Sequence, residues 1–222
     1  MTKRIFDIVF AFLCILLFSP LLLTVWVLVL IESRGKPMYL SMRNGKHEKL
    51  FKLYKFKSMK EGSDYNSITI GHKDPRVTRL GYVLRKYKLD ELPQLFNVLM
   101  GDLSFVGPRA DLAKYAPVYK EHFPEYFELK PGLTGMSSLA LFSESEMYND
   151  LDSPELYYIH YTIPLKSKYA RIYQQKIGLR TDLILIFRTI GEVIKNICID
   201  GKNLVIQPSH VEQRDQLRQG SL

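Results

Sequence analysis

The sequence predicts a helix-rich α+β protein with an apolar membrane segment at its N-terminus. Three patterns lead to this fold class: residues 8–31 carry no charged side chain, residues 38–57 alternate as a β-hairpin does, and apolar residues recur at helical spacing through much of the rest. A chain of 222 residues with 46% hydrophobic content can bury one core. We therefore expect a membrane segment at residues 1–34, a single folded domain at residues 35–200 and a polar tail at residues 201–222.

Charge and cysteine usage narrow the class of partner. Thirty-one Lys and Arg residues against 23 Asp and Glu residues give a formal net charge of +8 at pH 7. This balance favours anionic partners such as lipid headgroups, nucleotide phosphates or nucleic acid, and composition does not choose among them. The two cysteines, Cys14 and Cys198, match neither a metal-binding spacing nor a disulfide framework. The five histidines are scattered, so a zinc site is not expected.

The apolar run from Ile8 to Ile31 is long enough to cross a bilayer as one helix. It is too long for the apolar part of a cleaved signal peptide, and no small-residue cleavage site follows it. Ser19 and Pro20 fall in its middle, where proline removes a backbone donor and a nearby serine hydroxyl can satisfy the freed carbonyl. We therefore expect a break at Ser19-Pro20 that divides the run into two halves.

Basic residues flank both ends of this run. Lys3 and Arg4 precede it, and the basic residues that follow it are Arg34, Lys36, Arg43, Lys46 and Lys49. The positive-inside rule places both flanks on the cytoplasmic side, which a re-entrant hairpin satisfies and a spanning helix does not. From the residues alone both topologies stay open, and the spanning helix is slightly favoured.

An antiparallel β-hairpin is predicted after the membrane segment. Met38–Arg43 and Leu50–Lys57 flank Asn44-Gly45, a dipeptide typical of tight turns. The second strand interleaves three aromatic with three basic side chains, namely Phe51, Tyr54 and Phe56 with Lys52, Lys55 and Lys57. This pattern suits either a platform for single-stranded nucleic acid or a half-buried strand with solvated lysines. Beside an apolar anchor we favour the strand and expect no nucleic-acid partner.

A polar segment from Glu61 to Asp74 is predicted to be a surface loop. Asp74-Pro75-Arg76 then turns the chain into a helix, and Arg76 is either a phosphate or uridine contact or a solvated arginine. In the helix that follows, apolar residues recur on one face, at Leu80, Val83, Leu84 and Tyr87. Because this pattern ends at Tyr87, the helix is predicted to stop near Lys88.

The stretch from Leu89 to Arg109 opens on two adjacent carboxylates, Asp90 and Glu91, and carries the predicted reaction centre. Asp90 is expected to cap a second helix, with Pro93 in its first turn and Gly101 at its end. Acidic residues in a first turn often do no more than complement the helix dipole.

Arginines on both sides of the acidic pair favour a functional interpretation. Arg85 lies one turn before the pair, and Arg109 follows a Val-Gly-Pro turn after the helix. A helix N-terminus flanked by arginines can bind phosphate. An ionised carboxylate there can act as a nucleophile or as a ligand for a hard cation such as magnesium.

The remaining chain is predicted to be mainly helical. Asp111–Glu128 is expected to break at Pro124, and the Lys130–Gly135 loop offers the backbone amides of Thr134 and Gly135 to a ligand. Three further helices are expected at Tyr157–Tyr161, Pro164–Gln175 and Thr181–Ile199. The middle one carries Lys166, Lys168 and Arg171 among several tyrosines, which is typical either of a helix at a lipid interface or of an ordinary surface helix. The last one has an apolar stripe expected to pack in the core, formed by Leu183, Ile186, Ile190, Val193 and Ile197.

Four motifs carry a resemblance to a known family. They are FKLYKFKSM at residues 51–59, DPRVTRLGYVLR at 74–85, LDELPQLFNVLMGDLSFVGPR at 89–109 and KPGLTG at 130–135. Their order and spacing resemble the bacterial sugar transferase family, the monotopic phosphoglycosyl transferases that act on polyprenol phosphate. The resemblance covers residues 3–197.

The resemblance implies a function and a set of roles. A sugar 1-phosphate would move from a UDP-sugar to polyprenol phosphate, with release of UMP. Asp90 would be the nucleophile that forms a phosphosugar-aspartate, and Glu91 would help it to place Mg²⁺. Arg85 and Arg109 would hold phosphate oxygens, and an anion contact is implied for Lys55.

The resemblance also implies a location. Ser19 and Pro20 match the helix-break-helix of the family, which is re-entrant in the membrane. The protein would then be monotopic on the cytoplasmic face of the bacterial inner membrane, with membrane lipids among its partners and amphipathic helices at the interface.

Two departures from the family pattern bear on the sugar pocket. Ala110 stands where a second proline commonly follows Gly-Pro-Arg, and Ser137-Ser138 stands where an aromatic residue and a glutamine are often found. The sequence does not distinguish among UDP-sugars or pathways, and a homo-oligomer is compatible with it. A non-catalytic membrane adaptor and a magnesium-dependent nucleotide-sugar hydrolase are the alternatives.

Overall fold

The computed structural model of the chain describes residues 2–63, 68–70, 74–148 and 151–198, without the side chains of residues 146 and 196–198. Helices dominate this part of the chain, with two small two-stranded sheets among them. The elements in chain order are α1 (Thr2–Glu32), β1 (Met38–Asn44), β2 (Leu50–Phe56), α2 (Arg79–Lys86), α3 (Gln94–Met100), β3 (Ser104–Val106), α4 (Ala116–His122), β4 (Gly132–Thr134), α5 (Met136–Ala140), α6 (Pro154–Tyr157), α7 (Ile163–Gln174) and α8 (Leu179–Cys198). The helix-rich α+β class is confirmed. The predicted tail at residues 201–222 lies outside the described residues.

Helix α1 remains helical through Ser19 and Pro20. Pro20 lacks the N–H that would bond the carbonyl four residues earlier. The hydroxyl of Ser19 donates to that carbonyl, Leu16 O, at 2.8 Å, as the sequence predicted. Thr24 Oγ1 donates back to Pro20 O at 2.8 Å, a bond that often bends a helix. The hydrogen bonds expected around a break at Ser19-Pro20 are therefore present, although the helix itself is continuous.

Both halves of α1 pack against the rest of the protein, but its middle does not. Asp7 and Ala11 are buried near its start, and Val25 and Val29 are buried near its end. Residues 16–21 between them are exposed on every side of the helix. Within the described residues, α1 is also the one helix long and apolar enough to cross a membrane.

Polar contacts fasten both ends of α1. Arg4 donates to Val98 O and Leu99 O at 2.6 and 2.7 Å, so it caps the C-terminus of α3. At the other end, the carboxylate of Glu32 accepts from Thr78 Oγ1 at 2.7 Å, next to the start of α2. Arg4 was read from the sequence as a charge at the membrane flank, but it contacts protein carbonyls.

The predicted hairpin is confirmed, with β1 antiparallel to β2 and Met38 opposite Phe56. Its turn is longer than the Asn44-Gly45 dipeptide suggests, because a short 3₁₀ helix, Lys46–Glu48, lies between the strands. Beyond the hairpin, the side chain of Asn97 on α3 acts as a further partner for β2. It accepts from Tyr54 N at 2.9 Å and donates to Lys52 O at 2.7 Å.

The acidic pair lies in a tight turn between two helices. Helix α2 ends where predicted, and Lys88 then adopts a left-handed conformation with φ 57°. A 3₁₀ turn at Leu89–Glu91 follows, and α3 begins only at Gln94. The prediction that Asp90 caps the second helix is therefore wrong, since Asp90 sits inside the 3₁₀ turn. Gly101 ends α3 with φ 94°, as predicted.

A short parallel pair, β3 with β4, was not foreseen. The loop after β3 approaches the segments on both sides of β4 backbone to backbone. A Cβ added to Gly107 would lie 2.3 Å from Lys130 O, and one added to Gly135 would lie 2.1 Å from Gly107 O. Gly107 N donates to Thr134 O at 2.9 Å. Glycine is therefore required for this approach, which fixes the loop that leads to Arg109.

The C-terminal helices differ from their predicted roles. Helices α6 and α7 are joined by a π-helical turn at Tyr158–Thr162. Lys166 on α7, read from the sequence as a lysine at a lipid interface or on an ordinary surface, is buried. In the predicted core stripe of α8, Ile186 is buried but Ile190 is 46% exposed.

Candidate active site

Glu91 forms the centre of a partly buried ionic cluster. Its Oε1 accepts from Lys55 Nζ at 2.6 Å and from Arg109 Nη2 at 2.9 Å. Asp90 beside it is 6% exposed. The structure thus brings Lys55, Asp90, Glu91 and Arg109 together, and we call these four residues the active-site cluster.

The two carboxylates of the active-site cluster have opposite electrostatics. Burial raises the pKa of Asp90, an effect that Lys55 opposes and Glu91 reinforces. Burial would also raise the pKa of Glu91, but Arg109 and Lys55 hold it well below its usual range. Glu91 is therefore ionised and paired, whereas burial makes ionisation of Asp90 less favourable than that of Glu91.

The cations of the active-site cluster respond to the same burial. Burial lowers the pKa of Lys55, and Glu91 opposes that shift. Glu91 raises the pKa of Arg109. Arg109 therefore keeps its charge throughout the physiological range, and Glu91 favours the charged form of Lys55 against the effect of burial.

Lys55 is placed by the contact of β2 with α3. Asn97 bonds the backbone of Tyr54, the residue before Lys55, and it lies on the helix that follows Glu91. The strand and the helix are thus tied together next to the residues that form the ion pair. Asn97 was not singled out from the sequence, because a buried side-chain amide gives no periodic signal.

Two contacts of the Arg109 backbone fix the position of this residue. It forms a parallel bridge with Gly132, and its carbonyl accepts from the hydroxyl of Tyr126 at 2.9 Å. These contacts come from segments that follow Arg109 in sequence. The guanidinium can then reach back 18 residues to Glu91.

Arg85 lies near the acidic pair without bonding it. Nη2 donates to Thr69 Oγ1 at 2.9 Å, and Nη1 approaches Ser58 Oγ at 3.5 Å. Its charge nevertheless lowers the pKa of Asp90, less strongly than Lys55 does. Lys88, which the sequence did not flag, exerts a similar effect on both carboxylates.

The described contacts of Arg76 are with the segment that precedes α2. Its guanidinium pairs with Asp74 Oδ2 at 2.6 Å and donates to Ile68 O at 2.8 Å. Asp74 is almost fully buried, and its pKa is set by burial, which raises it, and by Arg76, which lowers it below the usual range. The pair fixes the turn into α2, and the predicted phosphate or uridine contact stays a prediction.

Thr134 and Gly135 support the loop of Arg109. The hydroxyl of Thr134 hydrogen-bonds that of Thr189 at 2.6 Å, and its carbonyl accepts from Gly107 N. Gly135 contacts Gly107 closely. Their predicted contact with a ligand stays a prediction. At the two departures from the family pattern, Ala110 is buried, and so is Ser137 of the Ser137-Ser138 pair.

The acidic pair can contribute to a magnesium site but does not complete one. Magnesium in phosphoryl-transfer sites is bound by one or two carboxylates, with substrate phosphates and water supplying the other oxygens. Asp90 and Glu91 fit that part, and no cluster of three or more His, Cys, Asp or Glu residues suited to a metal occurs in the described part of the chain. Since Glu91 Oε1 already accepts two cationic donors, the oxygens left for a metal are Glu91 Oε2 and those of Asp90.

Comparison with known proteins places this site in a family. The sequence model described as "Bacterial sugar transferase" matches residues 1–196. The chain is 34% identical over 196 residues to the UDP-N-acetylgalactosamine-undecaprenyl-phosphate N-acetylgalactosaminephosphotransferase of Aeromonas hydrophila, covering 86% of this chain and 43% of that protein. It is 34% identical over 209 residues to the exopolysaccharide production protein ExoY of Rhizobium meliloti, covering 87% of this chain and 85% of ExoY.

A third relative is the UDP-glucose:undecaprenyl-phosphate glucose-1-phosphate transferase of Caulobacter vibrioides, which is 39% identical over 143 residues, 62% of this chain and 53% of that protein. The chain thus spans about half or less of the Aeromonas and Caulobacter proteins, and most of ExoY. Because the family match covers nearly all of the described residues, including the whole active-site cluster, the chain belongs to the bacterial sugar transferase family.

Proposed function

We propose that this protein transfers a sugar 1-phosphate from a UDP-sugar to undecaprenyl phosphate or a similar polyprenol phosphate, and releases UMP. The names of the Aeromonas and Caulobacter relatives support the substrate classes. The observation that carries the proposal is the difference between the two carboxylates: Glu91 pairs with Lys55 and Arg109, whereas no described side chain hydrogen-bonds to the carboxylate of Asp90.

Asp90 is the proposed nucleophile. Its carboxylate oxygen attacks the phosphorus that bears the sugar, the bond from that phosphorus to the UMP oxygen breaks, and a phosphosugar-aspartate remains. An oxygen of the polyprenol phosphate then attacks the same phosphorus and frees the Asp90 carboxylate. A desolvated carboxylate is a strong nucleophile once ionised, and two steps let one small site serve a soluble donor and a membrane-bound acceptor in turn.

Glu91 and the cations have supporting roles. Glu91 fixes Lys55 and Arg109, and these two cations together with Arg85 hold phosphate oxygens as negative charge moves. Mg²⁺, when bound through the acidic pair and the diphosphate, would offset phosphate charge and favour ionisation of Asp90.

The membrane arrangement proposed for α1 is a re-entrant helix that bends at Ser19-Pro20 and has both ends on the cytoplasmic face of the inner membrane. Both ends of α1 contact the folded domain, and residues 16–21 around Ser19-Pro20 between them are exposed. A helix that crossed the bilayer would carry one end away from the domain that both ends contact. The exposed apolar face of α8, at Ile184, Phe187, Ile190 and Ile194, suits the lipid interface on the same side.

The chemistry is tested with purified protein, the candidate UDP-sugars and magnesium. Without lipid acceptor, the correct donor should release at most about one UMP per enzyme, and the protein should gain the mass of one sugar phosphate. Added polyprenol phosphate should discharge the adduct. Glu91→Gln should impair turnover but keep the adduct on Asp90, whereas an adduct mapped to Glu91 would contradict the assigned roles.

The same assay separates the alternatives. A non-catalytic adaptor releases no UMP, and a hydrolase releases UMP in many turnovers without the lipid. If no adduct forms and the kinetics require both substrates bound together, direct attack by the lipid phosphate replaces the two-step route.

The topology is tested by cysteine labelling in intact cells, after replacement of Cys14 and Cys198. Under the re-entrant proposal, Thr2→Cys and Ser221→Cys both stay protected from an impermeant reagent. Labelling of Thr2→Cys alone would show a spanning helix. Pro20→Ala should shift the segment toward a span, and unchanged labelling would mean that Pro20 alone does not set the path.

A further inference from the structure

Lys166 lies at the centre of a second buried ionic cluster, which the proposed reaction does not use. Only 2% of its side chain is exposed. Its Nζ donates to Asp111 Oδ2 at 3.1 Å, to Glu144 Oε1 at 2.9 Å and to the hydroxyl of Tyr158 at 3.1 Å. Each of the three ammonium hydrogens thus has an acceptor. We call Asp111, Glu144 and Lys166 the support cluster.

Asp111 of the support cluster is connected to the backbone of Arg109 through two tyrosines. Asp111 follows Arg109 by two residues and accepts from the hydroxyl of Tyr119. The ring of Tyr119 lies 4.3 Å from that of Tyr126, measured between centroids. The hydroxyl of Tyr126 donates to Arg109 O. A continuous set of contacts therefore joins Lys166 to Arg109.

Glu144 of the support cluster leads to the segment that contacts Lys88. Glu144 accepts from the hydroxyl of Tyr148 at 2.9 Å. Two residues before Glu144, Phe142 O accepts from Lys88 Nζ at 3.4 Å, and the ammonium lies 5.1 Å from the centre of the Phe142 ring. Lys166 thus fastens segments on both sides of the acidic pair.

Charge gives this arrangement a direct effect on the active-site cluster. The negative charges of Asp111 and Glu144 both act on Arg109, in addition to that of Glu91. The side chain of Arg109 is 33% exposed, so its guanidinium has room to turn. Without the ammonium, two buried carboxylates would lack their main cation and would compete with Glu91 for Arg109.

We propose that Lys166 is a positioning residue for the transfer reaction. By neutralising Asp111 and Glu144, it leaves Arg109 to pair with Glu91 and to hold a substrate phosphate. This inference rests on the proposed function, since Arg109 has a substrate only if that function is correct.

The test is a double-mutant cycle between Lys166 and Arg109 with the full-length protein in detergent or liposomes. Lys166→Met removes the charge and keeps most of the volume, and it should lower kcat/KM for the UDP-sugar by about 10- to 100-fold. The same change in an Arg109→Lys background should cost at most about threefold, because the group that Lys166 positions is already altered. Lys168→Met, an exposed lysine two residues further on α7, is the matched control and should keep the wild-type rate.

Folding is checked by thermal unfolding of each variant. Should Lys166→Met alone fail to fold, the double variant Lys166→Met with Glu144→Gln, which removes one charge of each sign, takes its place in the cycle. A loss of equal size in both Arg109 backgrounds overturns the inference, and so does a wild-type rate in Lys166→Met. A wild-type protein that releases no UMP refutes the proposed function itself, whereas an active wild-type protein with an additive cycle refutes only the role of Lys166.

Discussion

The active-site cluster and the support cluster are built from the same kinds of side chain but differ in how completely the carboxylates are paired. In the support cluster, Asp111 accepts from Lys166 and Tyr119. Burial alone would raise the pKa of Asp111, but Lys166 and Arg109 hold it at about 2. In the active-site cluster, Glu91 takes both cationic donors, and no described side chain hydrogen-bonds to the carboxylate of Asp90.

This difference separates a structural carboxylate from a reactive one. Buried charges that are fully paired hold segments together and resist protonation. A buried carboxylate that lacks a hydrogen-bond partner is costly for folding but available to react. Asp90 is a reactive carboxylate in this sense, and the nearby cations Lys55, Arg85 and Lys88 partly offset the free-energy cost of its burial.

The largest expected effect follows from removing Asp90. Asp90→Asn should lower turnover by about 10⁴-fold or more, as expected for the loss of a nucleophile, and abolish the covalent adduct. The same change should leave the melting temperature equal or higher, because it removes a buried carboxylate to which no described side chain hydrogen-bonds. Asp111→Asn is the matched change in the support cluster and should do the reverse, with a lower melting temperature and a much smaller loss of turnover. Substantial turnover in Asp90→Asn would remove the distinction between the clusters.

The next largest effect concerns the arginines that face phosphate. A planar guanidinium binds phosphate through two parallel hydrogen bonds, and an ammonium does not. Arg109→Lys and Arg85→Lys should each lose about 10- to 1000-fold in kcat/KM, the range of one lost transition-state donor. Arg188→Lys on the exposed side of α8 serves as the control and should keep its rate. Wild-type kinetics in both test variants would assign these arginines to structure.

The pH dependence of activity and of stability should distinguish the two clusters in the wild-type protein. The raised pKa of Asp90 means that kcat/KM should fall as the pH drops through that value, because the nucleophile becomes protonated. Asp111 has a lowered pKa, so its stabilising contribution is present above the unfolded value of about 3.9 and is lost only as the pH falls toward about 2. Activity should therefore be lost on acidification before the fold is.

Glu91→Gln sharpens this prediction. The charge of Glu91 raises the pKa of Asp90, so its removal should move the acid limb of kcat/KM to lower pH, whatever the absolute rate. Thermal unfolding measured across the same pH range is the companion experiment. An acid limb that stays in place would mean that a group other than Asp90 controls it.

The smallest expected effect belongs to the outer part of the support cluster. Tyr119→Phe removes one donor to Asp111 but leaves Lys166 in place. The expected cost is about 1.5 to 3 kcal/mol of unfolding free energy, typical of a hydrogen bond to a charged group. Turnover should change by at most about threefold, since Arg109 keeps its ionic neighbours. A larger loss of turnover than of stability would make Tyr119 part of the reaction rather than of its support.

Much of the local structure could be predicted from the sequence because it rests on short-range patterns. The charge-free run predicted α1, and the pairing of Ser19 with the carbonyl freed by Pro20 followed from the chemistry of proline. Alternation predicted the hairpin, and one apolar face predicted α2 and its end. The cap assigned to Asp90 was wrong because a left-handed residue, Lys88, inserts a 3₁₀ turn that no periodic pattern reveals.

The identities of the acidic pair, Lys55 and the flanking arginines came from the sequence, through charge and a family resemblance, but their pairing did not. Lys55 and Arg109 lie 36 and 18 residues from Glu91, and local spacing carries no information about contacts at that separation. The tertiary structure decided that Glu91 takes both cationic donors, while no described side chain hydrogen-bonds to Asp90. It also decided that Lys166, 55 residues from Asp111, is buried rather than at a lipid surface, because α7 turns that face toward the polar groups around Arg109. Sequence periodicity sets which face of an element is apolar, whereas the partner of a buried charge is set by the packing of elements far apart in the chain.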